Sequence, residues 1–399
     1  MLLAAKLIST DKSGMADPVD LSDLSDGETY FSTISYRSLI KKNEGFRHMK
    51  RTYQILNQSI SLESDDLLFI EEFHKDYQCF KQTPSAEPAC NIQICLHDNQ
   101  LQINQKQIDL SNHPAPRHYA FQRVVSEIMV QLEDYYLIHA GVVQKNEHVL
   151  VLSGPPGIGK STIVKTLVEN GFIFFSDDCA PLHKKKGKIY PFPRSMWIVG
   201  KPNKKNSMRS KKAVSVKFLS EKYNKPHKPT TIICLIDDTT TDQLIQLNLS
   251  LKSKKNLLID ELEKLPDVVL VQRHHIHAEY RIQFPGSNDI IHSIQDLMEQ
   301  FKHHIWSMYR VSPARKCFNR QAKIKQVSAH QVAAEIVSEM KIFASCLTHT
   351  ANEPLMASLI NISRLIQDAN CFFLSAGTLQ SEIECVYRAL GYEHSLYDS

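Results

Sequence analysis

Hydrophobic and polar positions along this chain fall into blocks with different periods, and the blocks predict the elements. From Thr29 to about Pro88 apolar residues return after a polar start, at Tyr30, Phe31, Ile34, Tyr36 and Leu39 and then at Leu67–Ile70. This predicts a small folded part of mixed structure, closed by the turn-rich Thr83–Pro88. Asn91–Leu96 and Leu101–Ile108 alternate apolar with polar around His97–Gln100, the pattern of a hairpin. Over Tyr119–Tyr136 the period changes to that of a helix, with Phe121, Val124, Val125, Ile128, Met129 and Leu132 on one stripe. Leu137–Val143 follows, and Lys145-Asn146-Glu147 turns the chain into Val149–Leu152, an apolar run too short for a helix. A helical stripe (Ile163, Val164, Leu167, Val168), a C-capping Gly171 and a second buried strand, Phe172–Phe175, come next.

Further strands are predicted at Thr230–Ile236, which runs into Asp237-Asp238, at Val268–Gln272 and at Tyr280–Phe284. A helix is predicted from Asp289 to His304. Past Pro313, three segments repeat apolar residues at threes and fours: Ser328–Leu347, Pro354–Gln367 and Thr378–Leu390. These predict an all-helical C-terminal subdomain over 313–399, with stripes (Val332, Ile336, Met340, Phe343; Leu355, Leu359, Ile362, Ile366) that need partners. Self-association or acceptor recognition is the expected use. Residues 1–28, rich in Asp, Ser and Gly, predict a disordered arm.

Composition narrows the class. A net charge of +4 over 399 residues gives no clear nucleic-acid site, and no apolar run reaches the roughly 20 residues needed to span a bilayer. With no signal-like start, the expectation is a cytoplasmic protein that does not engage membranes. The nine cysteines show no CxxC spacing and read as reduced thiols. His274, His275 and His277 lack a metal-ligand spacing and read as polar flanks of a strand. Lys201–Lys228 carries ten basic residues against Glu221 alone, which reads as a solvated loop ahead of a phosphate-steering lid.

The chemistry concentrates after Val149–Leu152. Gly154-Pro155-Pro156-Gly157-Ile158-Gly159-Lys160-Ser161 matches G-x-x-x-x-G-K-[ST] at every fixed position, and Thr162 follows. Glycines let successive backbone N–H groups face one concavity at a helix N-terminus, a site for phosphate. Lys160 would reach the β- and γ-phosphates, and the Ser161 hydroxyl would ligate Mg²⁺. Asp177 and Asp178 end the next strand, at the edge where α/β sheets bind ligands. A carboxylate there can hold Mg²⁺ or take the proton of an attacking hydroxyl. His139 lies on the preceding hairpin.

Leu-Ile-His139-Ala-Gly-Val, the glycine loop, Phe-Ser-Asp177-Asp178 and Tyr190-Pro-Phe-Pro-Arg194, in that order, resemble the catalytic domain of the HPr serine kinase/phosphorylase family over about residues 90–305. The resemblance implies an α/β fold like that of phosphoenolpyruvate carboxykinase, a mixed sheet with a phosphate loop, over 89–305. It also implies an ATP- and Mg²⁺-dependent kinase acting on a serine-type hydroxyl of a protein or peptide. Asp178 would then be the general base and His139 a partner near the transferred phosphate. Lys160 would neutralise phosphate charge, and Ser161 with Asp177 would hold the metal. A small-molecule kinase of the same fold, or a nucleotide-binding switch acting through the helical tail, are the alternatives.

Overall fold

The computed structural model describes residues 49–82, 91–111, 116–194, 196–199, 211–214, 225–236, 244–251, 257–274, 279–285, 288–301, 304–311, 320–337 and 355–392. The expected N-terminal arm, Thr83–Pro88, most of Lys201–Lys228, Asp237-Asp238, His275, His277 and 338–347 lie outside them. Two compact units divide the chain: Met1–Phe46 with Val199–Lys212, and Arg47–Ile198 with Ala213–Ser399. The second carries the elements described here, and its architecture is mixed α/β with several mixed sheets.

Its first sheet has five strands in the order β1 (Met49–Ile55), β2 (Gln58–Ser64), β3 (Ile92–His97), β4 (Gln100–Ile103) and β5 (Lys106–Asp109). Between β2 and β3 the chain makes helix α1 (Leu67–Tyr77). Asp66 caps it by accepting from the amides of Leu68 and Phe69, and Phe69, Ile70, Phe73 and Tyr77 bury one face. Helix α2 (Pro116–Val130) packs its stripe into the same core. The boundary expected at residue 88 falls inside this unit, because β2 pairs in parallel with β3. The single run expected over Leu101–Ile108 is two strands, since Asn104 adopts a left-handed turn (φ 52°) between them. The α2 helix stops short of Tyr136, as Tyr135–Ile138 leaves it to become β6.

The second sheet carries the glycine loop. It contains β7 (Ala140–Lys145), β8 (His148–Ser153), β9 (Ile173–Ser176), β11 (Thr231–Ile236), β16 (Ile324–Gln326) and β17 (Asn370–Ser375). Their order across the sheet is β16-β17-β11-β8-β7-β9. Strand β10 (Ala180–His183) pairs separately with β6. Strands β8, β11 and β17 are parallel, while β7 is antiparallel to both β8 and β9. The carboxyl ends of β8, β9, β11 and β17 and the start of β7 therefore share one edge. Helix α3 (Lys160–Glu169) and helix α8 (Leu379–Ala389) cover one face, burying Ile163, Val164, Leu167, Ile383 and Val386 against Leu150, Leu152, Ile233 and Leu235. On the other face a helix over 329–337, α6, and helix α7 (Leu355–Leu365) bring Val332, Ile336 and Ile362 against Val149, Val151 and Ile232. Alternate residues of each strand thus feed alternate faces.

This corrects the all-helical C-terminal extension. Asn370–Ser375 is a strand hydrogen-bonded beside β11, and Ile324–Gln326 is the edge strand beyond it. Cys-Phe-Phe-Leu is a continuous apolar run buried on both faces, so it lacks the alternation that marks a strand in sequence. The apolar stripes of Val332, Ile336 and Ile362 find their partner in the sheet itself.

A third sheet, in the order β13-β14-β12-β15, is antiparallel throughout. It is made of β12 (Leu244–Leu251), β13 (Val269–His274), β14 (Glu279–Pro285) and β15 (Ile305–Val311), with helices α4 (Leu257–Glu263) and α5 (Asn288–Gln300) on its core. Among the described residues no helix is long and apolar enough to cross a membrane.

Candidate functional site

Three loops meet at the carboxyl edge of the second sheet. The first joins β8 to α3. Gly154, Gly157 and Gly159 all have positive φ, at 143°, 84° and 108°. Gly154 admits no side chain, because a Cβ would lie 2.7 Å from the Leu235 carbonyl of β11. Gly159 is the N-cap of α3, and its carbonyl accepts from the amides of Thr162 and Ile163 at 3.1 and 3.2 Å. Amides in the first turn of a helix have no intrahelical acceptor, so the loop and helix start present donors outward. Close packing behind the loop is enforced by Gly141 of β7, where a Cβ would meet Val164 at 2.4 Å.

Lys160, the first residue of α3, is buried. Its ammonium donates to the carbonyls of Gly154 at 2.6 Å and Pro155 at 3.2 Å, and lies 3.5 Å from Nδ1 of His139. His139 occupies the single residue between β6 and β7, where the chain leaves one sheet for another. Its Nε2 stands 3.2 Å from Oδ1 of Asp178. Burial first, and then the Lys160 charge, push its pKa down. A neutral imidazole facing an ammonium at Nδ1 carries its proton on Nε2, so His139 donates to the Asp178 carboxylate.

The carboxylates differ sharply. Asp177 is 7% exposed and lies beside the Ser161 hydroxyl, while its Oδ1 is buried with no partner. Burial and the neighbouring Asp178 charge raise its pKa to about 7. Desolvation also acts on Asp178, but the hydrogen bond from His139 and the positive charges of Arg194 and Lys160 outweigh it and hold this carboxyl well below the usual range. The Asp178 side chain is 62% exposed, so it is a solvent-facing anion fixed from behind.

A divalent cation and a triphosphate suit these residues. The unpartnered Asp177 oxygen beside the Ser161 hydroxyl is a hard-oxygen pair of the kind that holds Mg²⁺ when phosphates and water supply the rest of the shell. Among the described residues no group of three or more His, Cys, Asp or Glu side chains could hold a metal alone. Every site residue proposed from the sequence, His139, Gly154–Thr162, Asp177 and Asp178, therefore falls at one sheet edge.

Sequence reasoning gave no role to Arg194, and it did not find Asp76 or Tyr77. Arg194 Nη2 donates to Asp76 Oδ2 at 3.2 Å, and the guanidinium lies over the Tyr77 ring, 5.0 Å from its centroid. The rigid Pro-Phe-Pro before Arg194 was the available signal; Asp76 on α1, 118 residues upstream, offered none.

Residues 138–229 match the virulence-associated protein E-like domain. The match begins one residue before His139 and takes in the glycine loop, both aspartates and Arg194. It overturns the resemblance to the HPr serine kinase/phosphorylase family, read over about residues 90–305 from motifs that lie inside this match. The motifs behind that resemblance, a glycine loop followed by a carboxylate pair at a sheet edge, are shared by many phosphate-binding proteins and do not specify one family. No curated protein matches the chain.

Proposed function

We propose that this protein binds ATP with Mg²⁺ and transfers the γ-phosphate to a hydroxyl group of a protein or peptide. The observation that carries the reading is the meeting, at one sheet edge, of the Gly154–Ser161 loop, the Ser161–Asp177 pair and the Lys160–His139–Asp178 chain. Bound Mg²⁺ would supply charge neutralisation across the phosphates. The loop amides and Lys160 bind and orient the phosphates. Asp177 and Ser161 offer the metal their oxygens. His139 fixes the Asp178 carboxylate, which accepts a hydrogen bond from the attacking hydroxyl and takes its proton as the new bond forms. A carboxyl with so low a pKa is a weak base, so Asp178 acts by orienting the hydroxyl until transfer makes its proton acidic. The exposure of Asp178 leaves the acceptor side open, which suits a hydroxyl presented on a larger chain.

A nucleotide-dependent switch is the second reading. It is favoured by β17 and α8, which tie the C-terminal segment to the loop-bearing sheet.

The test combines calorimetry of MgATP with Lys160→Ala, then incubation with γ-labelled ATP and cell extract. Binding lost in a folded Lys160→Ala protein, with label appearing on a polypeptide, supports the kinase. Undiminished binding by the variant refutes the nucleotide site. Binding without labelled acceptor turns the reading to the switch.

A further inference from the structure

The buried cluster around Arg194 lies beside the site, and the chemistry above gives it no contact with substrate. Arg194 follows Tyr190-Pro-Phe-Pro, whose Phe192 amide donates to the Phe175 carbonyl of β9 at 2.9 Å and whose ring enters the core of the first sheet. The segment is thereby pinned between the two sheets, two residues after an anchored aromatic. The C-terminal end of α1 then holds the guanidinium from the other side, through the Asp76 carboxylate and the face of Tyr77. Tyr77 is itself fixed by stacking on Phe73, with centroids 4.5 Å apart, and by an edge contact with Phe192. An arginine clamped by a carboxylate and an aromatic face has lost most of its rotamer freedom before any ligand arrives.

This clamp leaves donors over. Arg194 Nε and Tyr77 Oη are both buried without a hydrogen-bond partner. Asp76 takes one guanidinium nitrogen, and a guanidinium has five N–H groups. The Phe192–Phe175 bond sets this segment beside the end of β9, the strand that runs into Asp177 and Asp178. Asp178 is among the charges acting on Arg194 and on Tyr77, and Arg194 in turn acts on Asp178 and Cys179. A fixed cation with unused donors next to the carboxylate that receives the acceptor hydroxyl is placed for an oxyanion.

We infer that Arg194 is a catalytic residue that binds the oxygens of the phosphoryl group in transit, with Asp76 and Tyr77 as its positioning residues. This rests on the phosphotransfer reading above. In the step concerned, the bond from the γ-phosphorus to the bridging oxygen breaks and ADP leaves with its electron pair. The acceptor oxygen bonds to phosphorus, and the hydroxyl proton passes to Asp178. Charge on the equatorial oxygens is then shared between Lys160 on the loop side and Arg194 on the acceptor side. Helix α1, in the stretch 29–88 to which the sequence assigns no role, has the task of holding this arginine.

The experiment compares MgADP with MgADP plus aluminium fluoride, a mimic of the transferring phosphoryl group that needs no known acceptor. For Arg194→Ala we expect MgADP affinity unchanged and affinity for the aluminium fluoride complex reduced by about 100-fold, the size of losing one donor to a developing oxyanion. Arg194→Lys should recover part of the loss by restoring charge without the fork. Asp76→Asn, which keeps the side-chain shape, should show the same selective loss at about 10-fold, and it decides the matter if Arg194→Ala does not fold. A structural role alone would lower both affinities together or neither. Equal affinity of wild type and both variants for the aluminium fluoride complex overturns the inference while leaving the nucleotide site intact. Wild-type protein that fails to bind MgADP overturns the underlying reading, and this one with it.

Discussion

Asp177→Asn should make the protein more stable and inactive at the same time. In the folded chain the Asp177 carboxyl titrates at about 7, against an ordinary value of 3.8, because burial and the Asp178 charge disfavour its ionised form. The sign follows from linkage: an acid whose folded pKa is raised holds its proton more tightly when folded. Its relative stabilisation is complete below pH 3.8 and is lost as pH rises through about 7. Above that the folded state carries the full cost of a buried anion whose Oδ1 has no partner. At about 1.4 kcal/mol per pKa unit the shift corresponds to a ceiling of about 4 kcal/mol. Relaxation of the loop and entry of water reduce this, and a single substitution that relieves a buried charge is expected to give about 1–2 kcal/mol. Asparagine keeps the shape of the side chain and carries no charge. The assay is chemical denaturation of wild type and variant at pH 5, 6, 7 and 8. The variant's advantage should grow between pH 5 and 7 and level off by pH 8, while phosphotransfer and Mg²⁺-dependent nucleotide affinity fall. A pH-independent difference, or a variant less stable at pH 8, would refute the argument that Asp177 is a desolvated anion kept for metal binding.

Other expectations follow from the same geometry. Asp178→Asn should retain MgATP binding and lose about 10²–10⁴-fold in transfer rate, measured with saturating nucleotide; full activity there, with Asp177→Asn inactive, would exchange the two roles. His139→Ala should be milder, because it removes only the hydrogen bond that orients Asp178; a loss equal to that of Asp178→Asn would make the imidazole a direct participant. Gly154→Ala should abolish nucleotide binding in calorimetry, since its Cβ would sit 2.7 Å from the Leu235 carbonyl at a φ of 143°; normal affinity would show that the loop tolerates displacement. Ending the chain near Ser312 should yield insoluble or unfolded protein, because β17 and α8 are removed from the sheet that carries the loop; a soluble, MgATP-binding fragment would show that β11 survives as an edge.

Local chemistry was legible in the sequence, and long-range pairing was not. The glycine loop announces itself because each fixed position has a backbone or phosphate reason, and the strand before it and helix after it lie where their periods place them. Helices α7 and α8 were legible for the same reason, as their stripes repeat at threes and fours. Asn370–Ser375 was not, because a strand covered on both faces has no alternation to read, and its partner β11 is far away in the chain. The break at His139 was hidden inside what reads as one apolar run, although it is the break that lets the imidazole reach both Lys160 and Asp178. Asp76 and Tyr77 look like ordinary residues at the end of an amphipathic helix. Only the approach of Arg194 makes them part of a site.

The position of β17 has a consequence for how the protein is made. Ribosomes deliver β8 and β11 long before Asn370–Ser375, with about 130 residues of synthesis between the end of β11 and the start of β17. At about 5–20 residues per second that is an interval on the order of 7–30 s. Throughout it the flank of β11 is an open edge of Thr-Ile-Ile-Cys-Leu-Ile, without a charge or proline to discourage pairing with another nascent chain. Expression yield should therefore depend on chaperone supply and on temperature more than the stability of the finished protein suggests. Supplying Asn370–Ala389 as a separate peptide during synthesis should relieve aggregation of a chain that lacks it.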